Sequence, residues 1–167
     1  GLAGSSDEAL PAAILALAAG DAARARAARA RIPAVKPTGW RETYLAERLV
    51  LPLVDRALGD DEALRRGLAA AAADPSPLYA GLPRLVAAAA LDPAAEEALQ
   101  ATIWRSEAAA WLALARALRA ELSGDGAGAQ RAWQAFRDLP MHQRLLADSE
   151  PHLAIELASL WRSRAAP

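Results

Sequence analysis

Apolar residues recur along this chain at intervals of three and four, and the recurrences are interrupted by Gly-Asp pairs and by prolines. That period belongs to α-helices buried on one side. Leu10, Ile14 and Leu17 share one such face, predicting a helix that Ser6 or Asp7 caps and Gly20 closes. Asp21 then caps a second helix over 22–32, stopped by Pro33. Its packing stripe is narrow, Ala25, Ala28 and Ile32, with Arg24 and Arg31 to one side and Arg26 and Arg29 to another. Pro33 and Pro37 bracket a short extended linker. A third helix is predicted from Trp40 to Leu58, with Tyr44, Leu45, Leu49 and Leu53 inward, and Pro52 should kink or split it.

Gly59-Asp60 closes that helix and opens the next, which runs over 61–73 to Asp74-Pro75. A short helix over 82–91 follows, anchored by Leu82, Leu85, Val86 and Leu91. Asp92-Pro93 combines an N-cap with a proline at the first helical position, and the pattern then reads without a breaker to Leu122. Trp104, Ala108, Trp111, Ala115, Leu118 and Leu122 line one stripe of this long helix. Residues 123–128 read as a turn, 130–138 as a helix with Trp133 and Phe136, and 141–147 as a shorter one. The last helix starts near 149–151 and presents Leu153, Leu157, Leu160 and Trp161, with Arg162 and Arg164 at its C-terminal end.

Composition makes this an all-α reading. Of 167 residues 47 are Ala, the strongest helix former, while Val and Ile together number eight, too few to build a sheet. The larger apolar side chains cluster at 40–53, 99–122 and 153–161 and mark the expected core. The expected organisation is a flexible tail over 1–6 and one helical domain over 7–167, with about eight or nine helices.

Charge and chemistry narrow the function classes. A formal net charge of −1 gives no electrostatic footprint for nucleic acid. Lys36 is the lone lysine beside 18 arginines, a bias that fits GC-rich coding. The absence of Cys excludes disulfides, thiol catalysis and thiolate metal sites. No apolar stretch approaches the roughly 20 residues of a spanning helix, and no signal peptide opens the chain as written. This fits the cytoplasm, or an exported compartment after removal of a signal.

The Gly-Asp pairs at 20, 59 and 124 repeat one unit: helix, Gly-Asp turn, helix, proline stop, with the proline 13, 16 and 16 residues after the glycine. Such αα-hairpins bury their apolar faces by stacking. The stretch from Gly59 to Pro75, and that from Trp111 to Pro140 with Ala129 as the small residue of the second helix, resembles the tetratricopeptide repeat family. Leu10 to Pro33 is a truncated third unit. The turns are spaced 39 and then 65 residues apart, against the family's constant period of about 34, and Gly67 stands where the family prefers a bulky residue. The resemblance implies stacked antiparallel hairpins in an α-α superhelix, with a concave face that holds a peptide or partner protein. Without it, the periodicity equally describes an irregular helical bundle.

Candidate sites follow from residue type. Trp40, Arg41, Tyr44, Trp104 and Arg105 could form a partner-binding groove of aromatic and guanidinium groups. Trp111, Trp133 and Trp161 read as core fillers in an alanine-rich interior. His142, Asp148, Glu150, His152 and Glu156 gather ligand-type side chains, and His152 with Glu156 has the i, i+4 spacing of a helical metal pair. Two His without a Glu-x-x-His pair fall short of a metal bundle, so neither a metal nor another cofactor is expected. The Arg run over 24–31 reads as a solvated face, and the glycines at 124, 126 and 128 lack the strand and Lys of a phosphate loop.

The expected function is therefore a non-catalytic adaptor for a protein or peptide, with no nucleic acid and no membrane segment. A homodimer through the C-terminal helix is a further expectation. The alternatives are a small-molecule or lipid carrier with an apolar pocket, and an enzyme using His142 or His152 with Glu150 or Glu156.

Overall fold

The computed structural model describes residues 6–32, 41–73, 77–88, 92–102, 105–144 and 151–164; of 6–7, 41–48, 77–79, 102, 105–108 and 151–152 it describes the backbone alone. The described residues are all-helical: α1 Ser6–Ala18, α2 Ala22–Arg29, α3 Arg41–Ala57, α4 Asp61–Ala72, α5 Pro77–Ala87, α6 Pro93–Thr102, α7 Arg105–Ser123, α8 Gly126–Asp138, α9 Met141–Arg144 and α10 Pro151–Arg164. Among the described residues there are ten helices, close to the eight or nine that the periodicity predicts.

The three Gly-Asp pairs make the same turn. Gly20, Gly59 and Gly124 have φ of 77°, 75° and 77°, the left-handed region that an L side chain enters at a cost. Each glycine N–H donates three residues back, to Leu17, Arg56 and Glu121. The following aspartate N–H donates five residues back, to Ala16, Asp55 and Ala120, at 2.9, 2.9 and 3.0 Å. These paired bonds form the Schellman stop. The same aspartates cap the next helix, their Oδ1 atoms accepting from the N–H of Arg24, Ala63 and Gly128 at 2.9, 2.9 and 2.8 Å. A stop and a start therefore share two residues, giving the tight hairpins α1/α2, α3/α4 and α7/α8.

Two helices lie inside. Leu49 to Asp55 of α3 are buried without interruption, as are Ala110 to Leu118 of α7 apart from Ala113 and Arg116. A helix apolar on every side needs neighbours on every side. α3 packs on α1, α4, α5, α7 and α10, and α7 on α3, α5, α6, α8 and α9. Pro52 remains within one continuous α3, inside this fully packed stretch. The expected core residues Leu10, Ile14, Leu53, Trp111, Leu118 and Trp133 are buried, and so is the narrow α2 stripe of Ala25, Ala28 and Ile32.

The helix read as unbroken from Pro93 to Leu122 is two elements, α6 and α7. The side chains of Glu96 and Arg116 form an ion pair although 20 residues separate them. In one straight helix they would stand about 30 Å apart. α6 therefore folds back towards α7, and Gly81 of α5 admits it closely: a Cβ there would meet Leu99 Cδ1 at 2.6 Å. α5 begins at Pro77, earlier than expected, and Pro83 lies inside it. α8 begins at Gly126, so Gly126 and Gly128 are helical instead of forming the expected turn. A Cβ on Gly128 would collide with the Asp125 carboxylate that caps the helix.

α10 also differs from its pattern. Ala154, Ile155, Ala158 and Ser159 are its buried residues, whereas Leu153 is 53% exposed and Leu157, Leu160 and Trp161 are half-buried. The helix packs on α1, α3 and α8, and its small residues allow that close approach. Contacts run in a closed circuit from α1 through α3, α7, α8 and α10 back to α1. The face expected to self-associate, Leu153, Leu157, Leu160 and Trp161, is therefore only partly covered within the chain.

Two stability measurements check this architecture. Trp111→Ala should cost about 3–5 kcal/mol in urea unfolding; a loss below about 1 kcal/mol would show that Trp111 is no core element. Asp125→Ala and Gly124→Ala should each cost about 1 kcal/mol, the first by removing the cap and the second by straining φ, because the space around the glycine is open.

Candidate functional site

The sequence candidates for partner binding fall where side chains are not described. Trp40 and Trp104 lie outside the described residues, and Arg41, Tyr44 and Arg105 belong to helices whose backbone alone is described there. Of the carboxylate and imidazole group, Asp148 and Glu150 lie outside as well, His152 is in the first turn of α10, and His142 is exposed on α9. Glu156 faces Arg144 at 3.7 Å, so the carboxylate read as a metal partner for His152 is engaged by a cation. Among the described residues no three His, Asp or Glu side chains gather as a metal site.

Charged side chains instead bind the helices together. Arg29 donates through Nε and a terminal nitrogen to the two oxygens of Asp55, at 2.5 and 3.2 Å, and Asp55 is 2% exposed. A planar fork on a carboxylate is the geometry in which a buried pair is tolerable. Arg26 donates to the carbonyl of Leu58 at 3.3 Å, at the C-terminal end of α3 where a cation is favoured. Moving three residues forward along α2 thus moves three back along α3, so α2 and α3 are antiparallel and the first two Gly-Asp turns share one end of the molecule. The solvated reading of the Arg run fails for Arg29: this arginine pins the first hairpin to the second.

A second polar junction holds α10. Glu121 Oε1 accepts from Trp133 Nε1 at 2.9 Å and from Arg162 Nε at 2.7 Å, while Oε2 accepts from the Arg162 terminal nitrogen at 2.8 Å. Arg162 also lies over the Trp161 ring, 5.1 Å from its centroid. Arg137 donates to Ser159 Oγ at 3.2 Å. These residues carried no spacing signal, since their partners are 12 to 41 positions away.

Among the described residues an open recess lies between α4, α5 and α7. It is an open cleft of about 460 Å³ walled by Leu64, Arg65, Leu68, Ala69 and Ala72 of α4, by Val86, Ala87 and the following Ala88, and by Arg119, Leu122 and Ser123 of α7. α4 supplies its wall because positions 64, 65, 68, 69 and 72 fall on one helical face. The alanines keep the recess open where larger side chains would fill it. Arg65 Nε donates to the Asp61 carbonyl at 3.1 Å and Arg119 Nε to the Ala88 carbonyl at 3.0 Å, which fixes both guanidinium stems beside the apolar floor. Sequence reading missed this cleft: Arg65 and Arg119 are 54 residues apart, and nothing in the pattern says that α4 and α7 flank a common space.

Comparison with protein-family models, with curated proteins and with solved structures finds no match to this chain.

Substitution at the first junction separates structural from solvated arginines. Arg29→Ala strands the buried Asp55 carboxylate and should cost about 3–5 kcal/mol in chemical denaturation. Arg24→Ala, on the exposed side of the same helix, should change stability by no more than about 0.5 kcal/mol. Equal effects at the two positions would show that Arg29 is no anchor.

Proposed function

We propose that this protein is a non-catalytic, tetratricopeptide-repeat-like interaction module that binds a protein or peptide. The observation that carries the reading is the hairpin unit itself, closed three times by the same Gly-Asp stop-and-start turn and leaving an apolar cleft open between α4, α5 and α7. Stacked hairpins are rigid, low-cost scaffolds for recognition surfaces, and an exposed apolar recess is where such a scaffold takes a partner. The surfaces of α1 and α3 that meet α10 are used inside the chain, so the cleft on the far helices is the better docking face.

A second reading, a carrier for a small apolar molecule, is favoured by the cleft volume of about 460 Å³. That falls within the range of about 300–1,000 Å³ typical of small-ligand sites.

Affinity capture on the immobilised full chain from an extract of its source cells, with mass spectrometry of proteins and of organic-extractable material, distinguishes the two. The interaction reading expects a defined protein whose recovery Ala69→Glu abolishes, since Ala69 is exposed on the cleft wall. Recovery of a small apolar molecule and no protein would overturn it in favour of the carrier.

A further inference from the structure

α6 is the least anchored of the longer helices. Of its described side chains, Pro93 to Ala101, Leu99 alone is buried and Glu96 is half-buried, while the rest are exposed. Among the described residues every other helix of eight residues or more buries at least two side chains. Little apolar surface therefore holds α6 to the molecule. Its helical form owes more to its own residues. Asp92 Oδ1 accepts from the N–H of Ala94 and Ala95 at 3.1 and 3.2 Å, Pro93 opens the first turn, and alanines at 94, 95, 98 and 101 carry it onward. An element built from local signals and held by few tertiary contacts separates from its neighbours at a lower free energy than the core.

The contacts that do hold it are specific. Leu99 packs against the bare backbone of Gly81, where a Cβ would stand 2.6 Å from Leu99 Cδ1. Glu96, one turn earlier on the same face, pairs with Arg116 of α7. An apolar anchor thus enters α5 and a charge meets α7, three residues apart on one helix. Arg116 is exposed, so the ion pair lies on the rim, where it orients more than it stabilises and is screened by salt.

We propose that α6 is a built-in, reversible occupant of a helix seat on α5 and α7: it undocks as a unit while the hairpins stay folded, and the vacated seat takes another helix carrying Glu-x-x-Leu. While docked, α6 lowers the apparent affinity of that helix by the fraction of time the seat is free. None of Gly81, Glu96, Leu99 and Arg116 lines the α4–α5–α7 cleft, so this device is independent of what the cleft binds.

Hydrogen exchange of the full chain, read by mass spectrometry, tests undocking. Amides of α6 should exchange at least about a hundredfold faster than those of α3 and α7, and faster again at high salt or in Glu96→Gln, with the thermal midpoint unchanged. Exchange of α6 at the rate of α3 and α7 overturns the proposal. A fluorescent, acetylated peptide of residues 92–102 then probes the seat by anisotropy. It should bind the Leu99→Ser chain, whose own α6 has lost its anchor, at least about tenfold more tightly than the wild-type chain. Adding Arg116→Glu to that chain should weaken binding, and a peptide with Glu96→Lys should restore it on the reversed charge. No binding to the Leu99→Ser chain, equal binding to both chains, or indifference to the charge reversal overturns the proposal. Loss of the fold in Leu99→Ser does so as well, because Leu99 would then be an integral core residue and no detachable anchor.

Discussion

Burial of α3 and α7 is the constraint on which the other helices depend. Each carries a stretch buried on most of its sides, Leu49 to Asp55 in one and Ala110 to Leu118, apart from Ala113 and Arg116, in the other. Helices of this kind are stable only when surrounded. The hairpin partners α4 and α8 cover one side of each, α5 bridges both, and α10 closes over α3 while touching α1 and α8. Alanine makes this arrangement affordable in space: Ala110, Ala115 and Ala117 on α7, and Ala154 and Ala158 on α10, bring helices near one another where larger side chains would hold them apart. The large residues Trp111, Trp133 and Phe136 then fill the remaining volume, the last two in an edge-on contact at 6.3 Å between ring centroids.

Charge does its structural work at the seams of this packing. Asp55 is carried inside on α3 and is met by Arg29 from α2; Glu121 on α7 is met by Arg162 from α10 and Trp133 from α8. Each junction ties an outer helix to a buried one through a directional, bidentate contact. Apolar packing alone tolerates sliding of one helix along another, whereas a fork on a carboxylate sets a register. Arg65 and Arg119 have a different setting, on the walls of the cleft, each with its Nε on a backbone carbonyl.

Much of the fold was legible locally. Gly20-Asp21, Gly59-Asp60 and Gly124-Asp125 could be read as helix stops and starts because positive φ and N-capping are decided within six residues of chain. Asp92-Pro93 was readable for the same reason: Asp92 Oδ1 accepts from the N–H of Ala94 and Ala95. The helix read across 93–122 was not, because an uninterrupted period carries no record of a fold-back that a distant pair, Glu96 and Arg116, accompanies. On α10 the largest apolar residues do not mark the interior, because close packing against α1, α3 and α8 selects Ala154 and Ala158.

The candidate site was less legible than the fold. Trp40, Arg41 and Tyr44, singled out by aromatic and guanidinium type near a linker, fall where side chains are not described, and the open recess is lined by Leu64, Val86 and Leu122, residues indistinguishable in sequence from ordinary core. By itself the sequence determined that the chain is helical, where its tight hairpins turn and which residues cap them, since these follow from backbone conformation and from hydrogen bonds between near neighbours. Tertiary structure alone decided which arginines are anchors, which apolar residues line the cleft and that α6 folds back. Those outcomes depend on contacts between helices far apart in the chain, and a helical period specifies a face without specifying what comes to lie against it.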